Sequence, residues 1–124
     1  MSVSVLTTAV MMAIFLVAGL VVDGTAQVRA HRRAEVVAAR AARSGTDASA
    51  SHRLVGSDGT QEALAAARQV LASEGVVGEV SASEGRVAVT TSTSAETTFL
   101  SLLGISTLSA TGSASGELVR VKDR

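Results

Sequence analysis

Apolar positions run almost unbroken from residue 3 to residue 22, VSVLTTAVMMAIFLVAGLVV, and the first charge in the chain is Asp23. In a helix rising about 1.5 Å per residue, a run of about 20 residues covers the ~30 Å hydrocarbon layer of a bilayer. Its polar members Ser4, Thr7 and Thr8 are small hydroxyl residues that can bond back to their own helix. The expected anchor comprises Val3, Val5, Leu6, Val10, Ile14, Phe15, Leu16, Val17, Leu20, Val21 and Val22. A secretory leader has a shorter apolar core, roughly 7–15 residues, behind a basic segment and ahead of a small-residue cleavage site. No basic segment stands before residue 3, so a retained span is expected ahead of a cleaved leader or an apolar core helix.

The helical pattern continues past Asp23. TAQVRAHRRAEVVAARAAR holds strong helix formers and no breaker before Gly45. Ala26, Ala30, Ala34, Val37 and Ala41 recur at steps of four and three and form one stripe of small residues. Such a stripe serves either packing within the chain or a helix–helix assembly surface, because small side chains let backbones approach. One helix is therefore expected from about Val3 to about Arg43, with Gly24 the main candidate for a kink. Glu35 is spaced to meet His31 or Arg32.

Residues 44–59, SGTDASASHRLVGSDG, read as a loop with Leu54-Val55 pinning its middle. A second helix follows over about 60–73, capped by Asp58 or Thr60 and stopped by Gly75. Its inner face is expected to carry Leu64, Ala67 and Leu71 with Ala63 and Val70 beside them. Two alternating runs, about 76–82 and 86–91, flank Ser83-Glu84-Gly85 and predict a hairpin. ETTFLSLL, residues 96–103, predicts a short helix with Phe99, Leu102 and Leu103 turned inward. A third strand is expected within 105–121. The order α-α-β-β-α-β, with a helix between the second and third strands, predicts a crossover and a sheet ordered 2-1-3. The fold class is α+β: a long N-terminal transmembrane helix continuing into a small domain with a three-stranded antiparallel-type sheet.

Charge and composition narrow the function. Eleven basic and eleven acidic side chains balance, and such a balance lacks the basic footprint of nucleic-acid binding. Five arginines (Arg29, Arg32, Arg33, Arg40, Arg43) crowd the stretch after the span. The chain has no cysteine and two phenylalanines, so disulfides, thiolate metal sites and cysteine nucleophiles are excluded. His31 lies among arginines and His52 in the polar stretch, and neither has companions for a metal site. The serines lack a base and an orienting group. No catalytic, cofactor-binding or metal residues are expected, and the chain does not read as an enzyme. Asp23 reads as an interfacial acid ending the span, or as the partner of an arginine or N-terminal amine on a neighbouring subunit.

The chain resembles the TadE/TadG-like proteins of the tight-adherence (Flp) pilus assembly system, in their small actinobacterial form. Four stretches carry the resemblance: Ser2-Val3-Ser4-Val5 opening the apolar helix, Ala18-Gly19-Leu20-Val21-Val22-Asp23-Gly24, the run RAEVVAARAAR ending at Arg43, and TFLSLLGI at 98–105 before a small-residue strand. The resemblance implies a pseudopilin-like or minor-pilin-like component, single-pass in the cytoplasmic membrane. The glycine and glutamate that mark prepilin-peptidase substrates are not at the matching positions, so prepilin-type processing is not expected. The implied organisation is a transmembrane helix over 1–23, a membrane-proximal helix extension over 24–44 and a small α+β extracytoplasmic domain over 45–124. Expected partners are the lipid membrane and other pilus or secretion-machine subunits, with homo- or hetero-oligomers formed through the N-terminal helix. Asp23, Ala26, Ala30, Ala34, Val37 and Ala41 are the candidate assembly contacts. The competing class is a cytoplasm-facing single-pass adaptor or regulatory binding module, which the positive-inside rule favours by arginine count.

Overall fold

A computed structural model describes residues 2–54 and 59–118. Helix α1 spans Val3–Arg53 without interruption, 51 residues or about 75 Å. It crosses Gly24, the main candidate for a kink, as continuous helix, in keeping with the single helix expected there. A glycine costs a helix interior about 1 kcal/mol, which is small beside the packing that holds the rest of α1. The helix also overruns the expected end near Arg43. Residues 44–53 are its last turns rather than a loop, because Gly45 and Ser49 pack inward, and a Cβ on Gly45 would stand 2.9 Å from the Ala63 carbonyl oxygen. Leu54 is exposed and pins nothing, while Val55 and Asp58 lie outside the described residues.

Helix α2, Thr60–Glu74, starts at Gly59 and stops at Gly75, both in the left-handed region. The N-cap position is Gly59, which has no side chain to cap with, and the stop at Gly75 is as read from sequence. Ala63, Ala67 and Leu71 form its buried face, with Leu64 only half-buried. Strands β1 (Val77–Ser83) and β2 (Arg86–Glu96) are joined by Glu84-Gly85, at φ 51° and 75°. Two consecutive positive φ values are what a two-residue hairpin turn of the favoured hand needs.

The second strand ends later than expected, and the helix after it shrinks to the 3₁₀ turn η1, Leu100–Leu103, before β3, Thr107–Glu117. The sheet order is β1-β2-β3, with β3 antiparallel to β2. This corrects the expected 2-1-3 order. A crossover to a parallel strand needs a dozen or more residues, and the connection is closed at its base by the Thr97 N–H donating to the Ser106 carbonyl at 3.0 Å. It is a long hairpin loop. Phe99, Leu102 and Leu103 are also not turned inward: all three are exposed.

The core lies between one sheet face and the two helices. α1 runs over β2 and β3, and α2 packs on α1 and β1. Val37, Ala38, Ala41 and Ala42 of α1 meet Ala63, Ala67 and Leu71 of α2 and Val87 and Val89 of β2. The first 20 residues of α1 stand clear of this core, with every large apolar side chain from Val3 to Val22 at least half exposed.

Candidate functional site

The junction between the apolar end of α1 and the foot of the sheet carries the most specific chemistry among the described residues. Asp23 is the first residue past the apolar run and is 2 % exposed. One carboxylate oxygen accepts from the Thr98 N–H at 2.8 Å. The other accepts from the Leu100 N–H at 2.7 Å, and the Phe99 N–H points at both, 3.2 Å and 3.4 Å away. Three consecutive backbone donors therefore converge on one side chain. The Thr98 bond, with those from Leu100 and Phe99 behind it, holds the carboxyl below its ordinary 3.8 against the opposing effect of burial. Both readings of Asp23 made from sequence left its partner outside the chain or in water; the structure gives it a third use, as the tether of the β2–β3 loop.

One turn back, Phe99 lies on Gly19. A Cβ added at Gly19 would fall 2.6 Å from the ring's Cγ, so the missing side chain makes the notch in which the ring sits. Gly19 is the buried residue within the apolar run. Sequence alone offered no signal pairing residues 80 positions apart, although two of the four stretches that carry the resemblance are the ones that meet here.

The small-residue stripe is used inside the chain. Ala34, Val37 and Ala41 are buried against the domain, and Ala26 and Ala30 are half-buried. The helix backbone reaches the sheet closely enough for side-chain hydroxyls to bond it. Buried Thr91 Oγ1 donates to the Ala34 carbonyl at 2.6 Å, and Thr93 Oγ1 to the Ala30 carbonyl at 2.9 Å. Thr91, Thr93 and Gly112 were not singled out from sequence. Thr93 lies past the end expected for the second strand, and no inward face was read for the third.

Two of the five arginines brace the domain. Arg33 donates to the Glu74 carbonyl at 3.1 Å, and Arg40 pairs with the Glu74 carboxylate at 3.0 Å. Both meet the C-terminal end of α2, where cations are favoured by the helix dipole. Arg29, Arg32 and Arg43 are exposed. His31 meets Glu35 at 3.3 Å, as its spacing suggested. His52 sits on the last turn of α1, 3.7 Å from Glu62, and not in a loop. Among the described residues no three His, Asp or Glu side chains are grouped to hold a metal.

The apolar run, the alanine stripe and the tether all lie on α1, and so does a likeness to a known family. Residues 2–52 match the family described as "Putative Flp pilus-assembly TadE/G-like". The resemblance read from the sequence is thus shown over α1, from its first turn to within one residue of its end. The TadE/G-like match supports a pilus-related role and stops short of α2 and the sheet. No curated protein and no solved structure matches the chain.

Proposed function

We propose that the protein is a non-enzymatic, membrane-anchored pseudopilin-like or minor-pilin-like component of a tight-adherence (Flp) pilus or related secretion machine. The observation that carries this is the division of α1. Residues 3–22 expose a charge-free apolar surface on all sides save at Gly19, while residues 34–42 form the spine of a small α+β domain. A single rigid helix thus joins a lipid-soluble half to a folded head, and the TadE/G-like match covers that helix. Its work is to hold the head at the membrane and to pack laterally against other subunits.

Because Ala34, Val37 and Ala41 are enclosed by the chain's own sheet, the lateral contacts fall to residues 3–22, where Ala9 and Ala13 give a small-xxx-small spacing. Ala26 and Ala30 remain half-buried and border that surface. The head faces out of the cytoplasm in this reading. Arg33 and Arg40 are engaged by α2, and Arg40 and Arg43 lie 18 and 21 residues past Val22, where basic residues weigh less on topology.

Paired reporters test the reading. One active only outside the cytoplasm, fused after Arg124, is expected to be active, and a photo-crosslinker at Ile14 is expected to join the chain to identified subunits of the pilus machine. Activity of a cytoplasm-only reporter at the same position would replace the pilus reading with that of a cytoplasm-facing adaptor.

A further inference from the structure

Leu102 and Leu103 are 83 % and 76 % exposed, on a turn whose neighbours Phe99 and Ile105 are also partly open. Their height along α1 says what covers them. The carboxylate of Asp23 holds the N–H groups of residues 98–100, and the Phe99 ring reaches Gly19, three residues inside the apolar run. The loop therefore sits at the level of the last turn of the span. The stretch 97–106, TTFLSLLGIS, carries no charge.

Much of its polar backbone is also paired within the chain. The Leu102 N–H donates to the Phe99 carbonyl at 3.2 Å, Gly104 to Ser101 at 3.1 Å and Ile105 to Leu100 at 3.0 Å. The Ser101 hydroxyl donates to the Thr98 carbonyl, and the Thr97 hydroxyl to that of Ile105. Non-helical backbone can lie at membrane depth only when its donors and acceptors find partners within the protein. Here seven of the ten backbone N–H groups have partners within the chain: those of Thr97, Leu102, Gly104 and Ile105 bond backbone carbonyls, and those of Thr98, Phe99 and Leu100 bond Asp23.

From these relations we infer that the β2–β3 loop is a second membrane contact, a lipid-embedded foot that inserts Leu102 and Leu103 into the same leaflet as the end of the span. The occupant of this apolar surface is acyl chain and headgroup boundary, because the surface is continuous with the lipid-facing side of residues 16–22. Two contacts fix both the height and the rotation of the head, which a single helix passing through lipid leaves free. The inference rests on reading residues 3–22 as a span, and holds whichever side of the membrane the head occupies.

The chain has no native cysteine, so single nitroxide labels can be placed cleanly. Full-length Leu102→Cys, Leu103→Cys, Leu16→Cys and Ser81→Cys proteins would be reconstituted in phosphatidylcholine vesicles with a minority of phosphatidylglycerol. Collision with dissolved oxygen and with a water-soluble nickel chelate would then be compared. Labels at 102, 103 and 16 are expected to favour oxygen several-fold, and the label at 81, toward the far end of the sheet, to favour the chelate. Labels at 102 and 103 that behave like 81 while 16 stays in lipid would overturn the foot and leave the span standing. All four labels in water would remove the span and the foot together. Labels at 102 and 103 shielded from both reagents, with spin–spin broadening between copies, would put protein there in place of lipid and overturn the inference as well.

Discussion

Gly112 of β3 lies directly on the backbone of Ala34 in α1: a Cβ added to the glycine would stand 2.4 Å from the Ala34 carbonyl carbon and 2.4 Å from the Glu35 nitrogen. Neither atom belongs to a flexible side chain, so a methyl group here must drive helix and sheet apart. Gly112→Ala is expected to destabilise the head by about 1–3 kcal/mol, the range of overpacked cores. Thermal denaturation of the detergent-solubilised protein, followed by circular dichroism, measures it. An unchanged midpoint would show that the helix rides higher on the sheet than described.

Asp23→Ala leaves the N–H groups of Thr98, Phe99 and Leu100 without their acceptor. Faster amide exchange confined to residues 97–106 is expected, with the exchange of β1 and α2 unaltered. Equal acceleration throughout would make Asp23 a general stability residue instead of a tether.

The same carboxylate gives a dependence on pH. Its folded pKa is depressed, so the stabilisation it provides is present above the unfolded value near 3.8 and is lost as pH falls through the lower folded value. The amide chemical shifts of Thr98 and Leu100 are expected to titrate with a midpoint below 3.8. A midpoint above 3.8 would mean that burial outweighs the three hydrogen bonds.

At the hairpin, Gly85 has φ 75° and Glu84 φ 51°. Gly85→Val is expected to destabilise the fold more than Glu84→Ala, since a β-branched residue at positive φ is strained. Glu84→Asn is expected to raise stability by about 0.5–1 kcal/mol, because asparagine tolerates the left-handed region better than glutamate. Comparing the three melting curves tests the turn directly.

The apolar half of α1 should resist extraction by alkaline carbonate. Leu16→Arg is expected to impair insertion, at about 2.5–3.5 kcal/mol on insertion scales. Full-length wild-type chain recovered in the soluble fraction would contradict the span.

What the sequence determined by itself is everything that depends on period, length and local turn chemistry. The charge-free run over 3–22, the alternation in β1 and β2, the glycine stop at Gly75 and the turn at Glu84-Gly85 are properties of neighbours in the chain, and they needed no partner to be read. Tertiary structure decided the rest. Residues 44–53 have loop-like composition, yet Gly45 and Ser49 are helical because α2 packs against them and needs small residues at the crossing. The 96–103 stretch has helical spacing, yet Glu96 ends a strand and only Leu100–Leu103 coils. Its Thr98, Phe99 and Leu100 amides are held by a carboxylate at least 75 residues away, and Leu102 and Leu103 are exposed. Sheet order followed from that shortened connection. Asp23, the best candidate residue in the sequence, was legible as an acid at a boundary but not as a tether. Its three partners are backbone N–H groups, which every residue type but proline carries and which therefore leave no mark in the sequence.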